Sequence, residues 1–165
     1  MNIRVLIMTF VGIVLLSMNV RTCEKSPYDA YTKVFREYML ENFKLQVEQS
    51  THYYFISNTF VCRGCVQRYL YMLNDFLDEV NGGDDITLIT TVPYDVLSRL
   101  RSKICVLVDK QRNLDYENLD LNNLNLFVTK DGEIGNVRRF STEDENEFRT
   151  ALSEIMANRI VLGRS

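Results

Sequence analysis

The sequence predicts an α/β domain: a central mixed sheet with a parallel βαβ part and a C-terminal antiparallel hairpin, flanked by helices and preceded by an N-terminal helix. Three observations lead there. Apolar stripes at helical spacing alternate with short apolar or β-branched runs, the pattern of strands joined by helical crossovers. Ile104-Cys105-Val106-Leu107-Val108 is apolar throughout, as in a strand buried on both faces. Lys130-Asp131-Gly132-Glu133 separates two strand-like runs and has the composition of a turn that folds one strand onto the next. A chain of 165 residues, 46% hydrophobic, has room for one such core and hardly for two.

Residues 1–22 stand apart. Arg4 precedes an apolar stretch from Val5 to Leu16, followed by Ser17-Met18-Asn19-Val20-Arg21-Thr22-Cys23, the layout of an export signal. The stretch falls short of the ~20 residues that cross a bilayer. Cys23, followed by polar Glu24-Lys25-Ser26, resembles the lipid-accepting cysteine of bacterial lipoproteins, with aliphatic Val20 three positions upstream. Arg21 and Thr22 stand where that signal usually has small residues, so simple cleavage and a retained anchor stay open beside lipidation of Cys23. Residues 23–30, with Pro27, read as a tether, and 31–160 as the folded domain.

Loss of residues 1–22 removes Arg4 and Arg21 and no acid, leaving 17 basic against 22 acidic residues, a formal charge of −5. Such a balance argues against nucleic acid as a partner, since phosphate binding draws on clustered cations. Arg99, Arg101 and Lys103 form only a short cluster, and Arg138-Arg139 a pair.

From Tyr31, the positions Val34, Phe35, Tyr38 and Met39 predict a helix to about Gln49. Tyr53-Tyr54-Phe55-Ile56 has strand composition and breaks at Ser57-Asn58-Thr59. Val66, Tyr69, Leu70, Leu73, Phe76, Leu77 and Val80 form one helical stripe that Asn81-Gly82-Gly83 terminates. Ile86 to Thr91 is a strand, and Pro93 is placed to open a short helix through Leu97 and Leu100. In the apolar run that follows, Cys105 is expected in the core. Residues 111–123 are polar and read as a loop. Leu124 to Val128 and Ile134 to Phe140 are the hairpin strands. Acidic Glu143-Asp144-Glu145 starts a last helix, with Phe148, Ala151, Leu152, Ile155 and Met156 on its buried side.

The chemistry gathers at Cys62-Arg63-Gly64-Cys65, between the first strand and the longest stripe. A cysteine heading a helix meets unbonded backbone N–H groups and the positive end of the helix dipole, which favour the thiolate. Cys65, one turn along the same face, is placed to attack a mixed disulfide and release the partner. Cys62 is thus the expected nucleophile and Cys65 the resolving thiol, with Arg63 as a supporting positive charge. Gly64 keeps the turn unobstructed, and Phe60-Val61 offers either an apolar rim or simple packing.

From about Tyr53 to Phe148 the chain resembles the thioredoxin-like superfamily, in particular the membrane-tethered TlpA-type thiol-disulfide oxidoreductases. The matching parts are Tyr53-Tyr54-Phe55-Ile56, the CxxC helix start, Val106-Leu107-Val108-Asp109, and the hairpin from Leu126 to Ile134. The resemblance implies disulfide reduction, exchange or electron relay on the extracytoplasmic side of a bacterial membrane. Its partners would be exported proteins bearing disulfides or thiols, and it needs no cofactor beyond its own sulfurs. Family members usually carry a cis-proline before the hairpin strand. Here that place falls near Asn123-Leu124, the only prolines are Pro27 and Pro93, and a trans peptide is expected.

Two other readings accompany this one. In the first, Cys62 and Cys65 form an inert disulfide in an interaction or structural protein. In the second, the two thiolates take part in a metal site, although they supply only half of a tetrahedral set. The only histidine, His52, lies about 30 Å of extended chain from Cys62 and is expected at a surface or edge, so no metal ligands are assigned within the chain. No phosphate loop, serine nucleophile motif or peroxidatic cysteine pattern is present.

Overall fold

The computed structural model describes residues 26–57, 62–116 and 119–163. The expected signal, Cys23 and the first part of the tether lie outside these residues, as do Phe60 and Val61. Among the described residues no helix is long and apolar enough to cross a membrane.

Helix α1 (Asp29–Phe43) starts two residues before Tyr31. Ser26 accounts for the early start: its hydroxyl accepts from the Tyr28 N–H and its carbonyl from the Asp29 N–H. The helix also ends before Gln49, because Lys44 turns left-handed at φ 58° and its N–H bonds back to Leu40. Val47 remains buried beyond that end.

Strand β1 (His52–Ser57) leads to helix α2 (Arg63–Glu79), then β2 (Ile86–Thr90), the short α3 (Leu97–Leu100), β3 (Cys105–Val108), a 3-10 turn (Asn113–Tyr116), β4 (Leu124–Lys130), β5 (Glu133–Phe140) and α4 (Glu145–Val161). The predicted α/β class and its mixed sheet are therefore present. Strand order is β3-β2-β1-β4-β5, with β1, β2 and β3 parallel and β4 antiparallel to both β1 and β5.

Side-chain alternation sends β1 residues to both faces. Tyr53 and Phe55 join a core with α2, α3 and α4, while Tyr54 and Ile56 join a second core under α1. Both faces of β1 are covered, so all six of its residues are buried. On the α2–α4 side Phe148 anchors an aromatic cluster, 4.9 Å from the Tyr69 ring, 5.1 Å from Phe140 and 5.9 Å from Phe55. These contacts hold the helix that begins at the cysteines against the sheet.

Strand β3 departs from expectation. It is an edge strand paired only with β2, and Cys105 is exposed on it rather than in the core. An apolar run of this length suits a central or an edge strand equally, and only the neighbours decide. Likewise His52 is buried at 5% exposure, not at a surface. Its Nε2 lies 2.9 Å from the Thr87 hydroxyl on β2 and its ring packs on Tyr54.

The hairpin turn places Asp131 at φ 53° and Gly132 at φ 74°. A Cβ on Gly132 would also come within 2.7 Å of the Gln49 amide, which would have to swing aside, so the positive φ is the stronger reason for glycine there.

Candidate functional site

The cysteine pair sits where β1 would deliver it, beyond the C-terminal end of the parallel strands, the usual location of sites in sheets of this kind. Cys62 is the residue preceding α2, and its carbonyl accepts from the N–H groups of Cys65 and Val66. Cys65 lies in the first turn, its Cα 5.3 Å from that of Cys62, and the two sulfurs form a disulfide. Cys62 is exposed and Cys65 half-buried. That asymmetry lets an incoming sulfur reach position 62 before position 65. Cys62 thus stands at the N-terminal, positive end of a 17-residue helix, a position that favours an anionic sulfur when a cysteine there is reduced.

Neither a family model, nor a curated protein, nor a solved structure matches this chain. What the two sulfurs can do follows from their surroundings.

Arg63 points toward the segment after β2. Its Nη2 donates to the Pro93 carbonyl at 2.9 Å, and its guanidinium carbon lies 5.9 Å from the centre of the Tyr94 ring. Pro93 therefore does not open a helix. It stays in a loop, with its carbonyl serving Arg63, and α3 begins at Leu97. Burial pushes the Tyr94 phenol above its ordinary value, opposed by the nearby Arg63 cation and by a hydrogen bond with the Ser57 side chain.

Beneath this loop runs a short relay of hydroxyls. Ser57 donates to Thr90 across the β1–β2 pair at 2.9 Å, and Thr90 donates to the Val92 carbonyl at 3.0 Å. Both residues are fully buried. Serine and threonine at the ends of two neighbouring strands are the sequence signal for this relay; alone, Ser57 reads as the break after a strand and Thr90 as an ordinary strand residue, and only their pairing across β1 and β2 joins them.

On the other side of β1, the Asn123–Leu124 peptide is trans, and no described peptide bond is cis. Asn125, fully buried, donates to the Ile56 and Asn122 carbonyls while its own side-chain oxygen accepts from the Asn122 N–H. Sequence reasoning missed Asn125, a polar residue inside the strand pattern Leu124-Asn125-Leu126. It fastens the entry of β4 to the end of β1, next to the cysteine turn.

Gly64 has open space around it: a Cβ there would meet no heavy atom within 4 Å. Among the described residues, then, nothing fills the space beside Gly64. The remaining candidates lie elsewhere. His52 is at the opposite end of β1, Cys105 at the outer edge of the sheet, and Cys23 outside the described residues. Among the described residues no group of three or more His, Cys, Asp or Glu side chains is assembled around a common point.

Proposed function

We propose that this chain is a thiol-disulfide oxidoreductase of the thioredoxin-like kind. It would be tethered to the extracytoplasmic side of a bacterial membrane through lipidated Cys23 or a retained signal, with disulfide-bearing exported proteins as its partners. One observation carries the reading: an exposed Cys62 heading a long helix, in a disulfide with a half-buried Cys65 one turn along.

In the reducing direction, the Cys62 thiolate attacks one sulfur of a partner disulfide. That S–S bond breaks, and the departing sulfur keeps the electron pair and takes a proton. Cys65, deprotonated, then attacks the Cys62 sulfur of the mixed disulfide and releases the partner's second thiol. The partner has gained two electrons, and the chain holds the Cys62–Cys65 disulfide until a dithiol donor reopens it.

A Cys65→Ser variant expressed in its native compartment tests this. Retention of covalent partners through Cys62, released by reductant, is the expected result. An absence of adducts, together with alkylation of Cys62 at the rate of an ordinary free thiol, overturns the assignment.

The inert-disulfide reading is favoured by the trans Asn123–Leu124 peptide, at the place where the resembling family presents its cis-proline. Under that reading the reduced pair shows an ordinary thiol pKa.

A further inference from the structure

A positive charge next to a nucleophilic sulfur ordinarily serves the thiolate. Arg63 is engaged differently: it holds the Pro93 carbonyl and the face of Tyr94. Those partners belong to a segment that is itself braced, with the Thr90 hydroxyl bonded to both the N–H and the carbonyl of Val92. In the disulfide form neither sulfur is charged, so nothing at position 62 competes for the guanidinium. Arg63 directly follows Cys62 and is exposed, and its long flexible stem reaches either side of the turn.

We propose that Arg63 is a redox-dependent latch: with the Cys62–Cys65 bond closed it fastens the cysteine turn to Pro93 and Tyr94, and once the pair is reduced it moves to the Cys62 thiolate, freeing that segment to receive a partner. The inference rests on the oxidoreductase reading. A dithiol donor drives the switch. Its two thiols become a disulfide, its electron pair breaks the Cys62–Cys65 bond, Cys65 ends as a thiol, Cys62 as a thiolate, and one proton passes to water. The direction follows from the strength of the contacts, because a charge-assisted bond to an anion outranks one to a neutral carbonyl and a ring face.

Arg63 is a positioning residue in this scheme, acting on partner access through Pro93 and Tyr94. Its test follows the Arg63 Nε–H and Tyr94 ring resonances by NMR in the full chain, oxidised and then reduced with dithiothreitol. Spectra are taken at pH 7 and at pH ~9.5, where even an ordinary thiol is largely ionised. Both residues should shift on reduction, while reduced Cys62→Ser, which has neither bond nor thiolate, keeps the latched positions.

Arg63→Met should slow alkylation of reduced Cys62 at pH 7 about three- to fivefold, and Arg63→Lys should restore it without restoring the Tyr94 stacking shift. Movement at both pH values supports the latch and the activated thiol together. Movement confined to pH ~9.5 supports the latch and overturns the activated thiol. Stationary resonances at both pH values, or identical shifts in Cys62→Ser, overturn the latch.

Discussion

The parallel strands carry buried polar groups at both ends, and the two ends use them differently. At the N-terminal end, His52, Asp85 and Arg159, all nine-tenths or more buried, line a cleft of about 500 Å³ with Glu48, Ser50 and Asp84. Their bonds tie neighbouring elements together. Arg159 Nε faces Asp85 at 3.5 Å, Arg159 Nη1 donates to the Gly82 carbonyl at 2.8 Å, and His52 joins β1 to β2 through Thr87. This end ties the last helix to the start of β2. At the C-terminal end Asp109 is likewise buried and bonded, to the Tyr38 hydroxyl and the Leu114 N–H, but an exposed sulfur heads a helix there and the cation beside it rests on an exposed loop carbonyl. The comparison teaches that a high density of titratable groups marks a joint as readily as a site. What distinguishes the site is an accessible nucleophile.

Separate substitutions should pull the two ends apart. Cys62→Ser is expected to lower exchange with a small disulfide reporter by on the order of a hundredfold or more, since among the described residues no other thiol heads a helix, and to lower stability by only the ~2 kcal/mol that so short a disulfide ring contributes, leaving the protein folded. Loss of folding instead would assign the cysteine end a structural role and erase the contrast.

Arg159→Met should do the reverse. It leaves the Asp85 carboxylate buried without its cation, at a cost of about 3–5 kcal/mol in urea unfolding, with the alkylation rate of reduced Cys62 in the folded protein unchanged. A fall in that rate would show that the ends communicate.

Tyrosines near both ends give a smaller effect with a defined sign. Burial raises the phenols of Tyr54 and Tyr94 above the ordinary 10.0. The folded state therefore holds these protons more tightly than the unfolded chain. Their contribution to stability is complete below pH 10 and is lost as pH rises through the raised folded values. Unfolding measured from pH 9 to 12 should show this decline, and Tyr54→Phe and Tyr94→Phe should each flatten it. A decline unchanged in both variants would place its origin elsewhere.

The smallest effect is expected at Gly64→Ala. Helix propensity gains up to about 1 kcal/mol, and the open space admits the methyl, so stability rises slightly in thermal melts. If exchange with a protein disulfide then slows while exchange with a small disulfide does not, the emptiness beside Gly64 is where the partner lies.

The sequence displayed most of this architecture wherever a segment's own period determines its environment. The stripe from Val66 to Leu77 is buried as read, and Phe148, Ala151, Leu152 and Ile155 form the inner side of the last helix. The cysteine turn was legible for the same reason, because Cys62 and Cys65 belong to one local strand-to-helix transition. What stayed hidden depends on neighbours remote in the chain. Cys105 is exposed on a strand that has, among the described residues, no neighbour beyond it, His52 is buried where its ring reaches the Thr87 hydroxyl on β2, and Arg159 is buried where it meets Asp85 and Gly82, 74 and 77 positions away. Pro93 reads as a helix opener until Arg63, thirty positions earlier, takes its carbonyl.

The three-residue separation of the cysteines has a thermodynamic consequence. A cross-link restrains the denatured ensemble in proportion to the logarithm of the ring it closes, and so small a ring contributes only about 2 kcal/mol where a hundred-residue ring contributes about 4.7. Opening it therefore costs less than half of what a long-range cross-link would, and the two sulfurs can cycle between bonded and separate states on a scaffold whose two cores lie elsewhere in the chain.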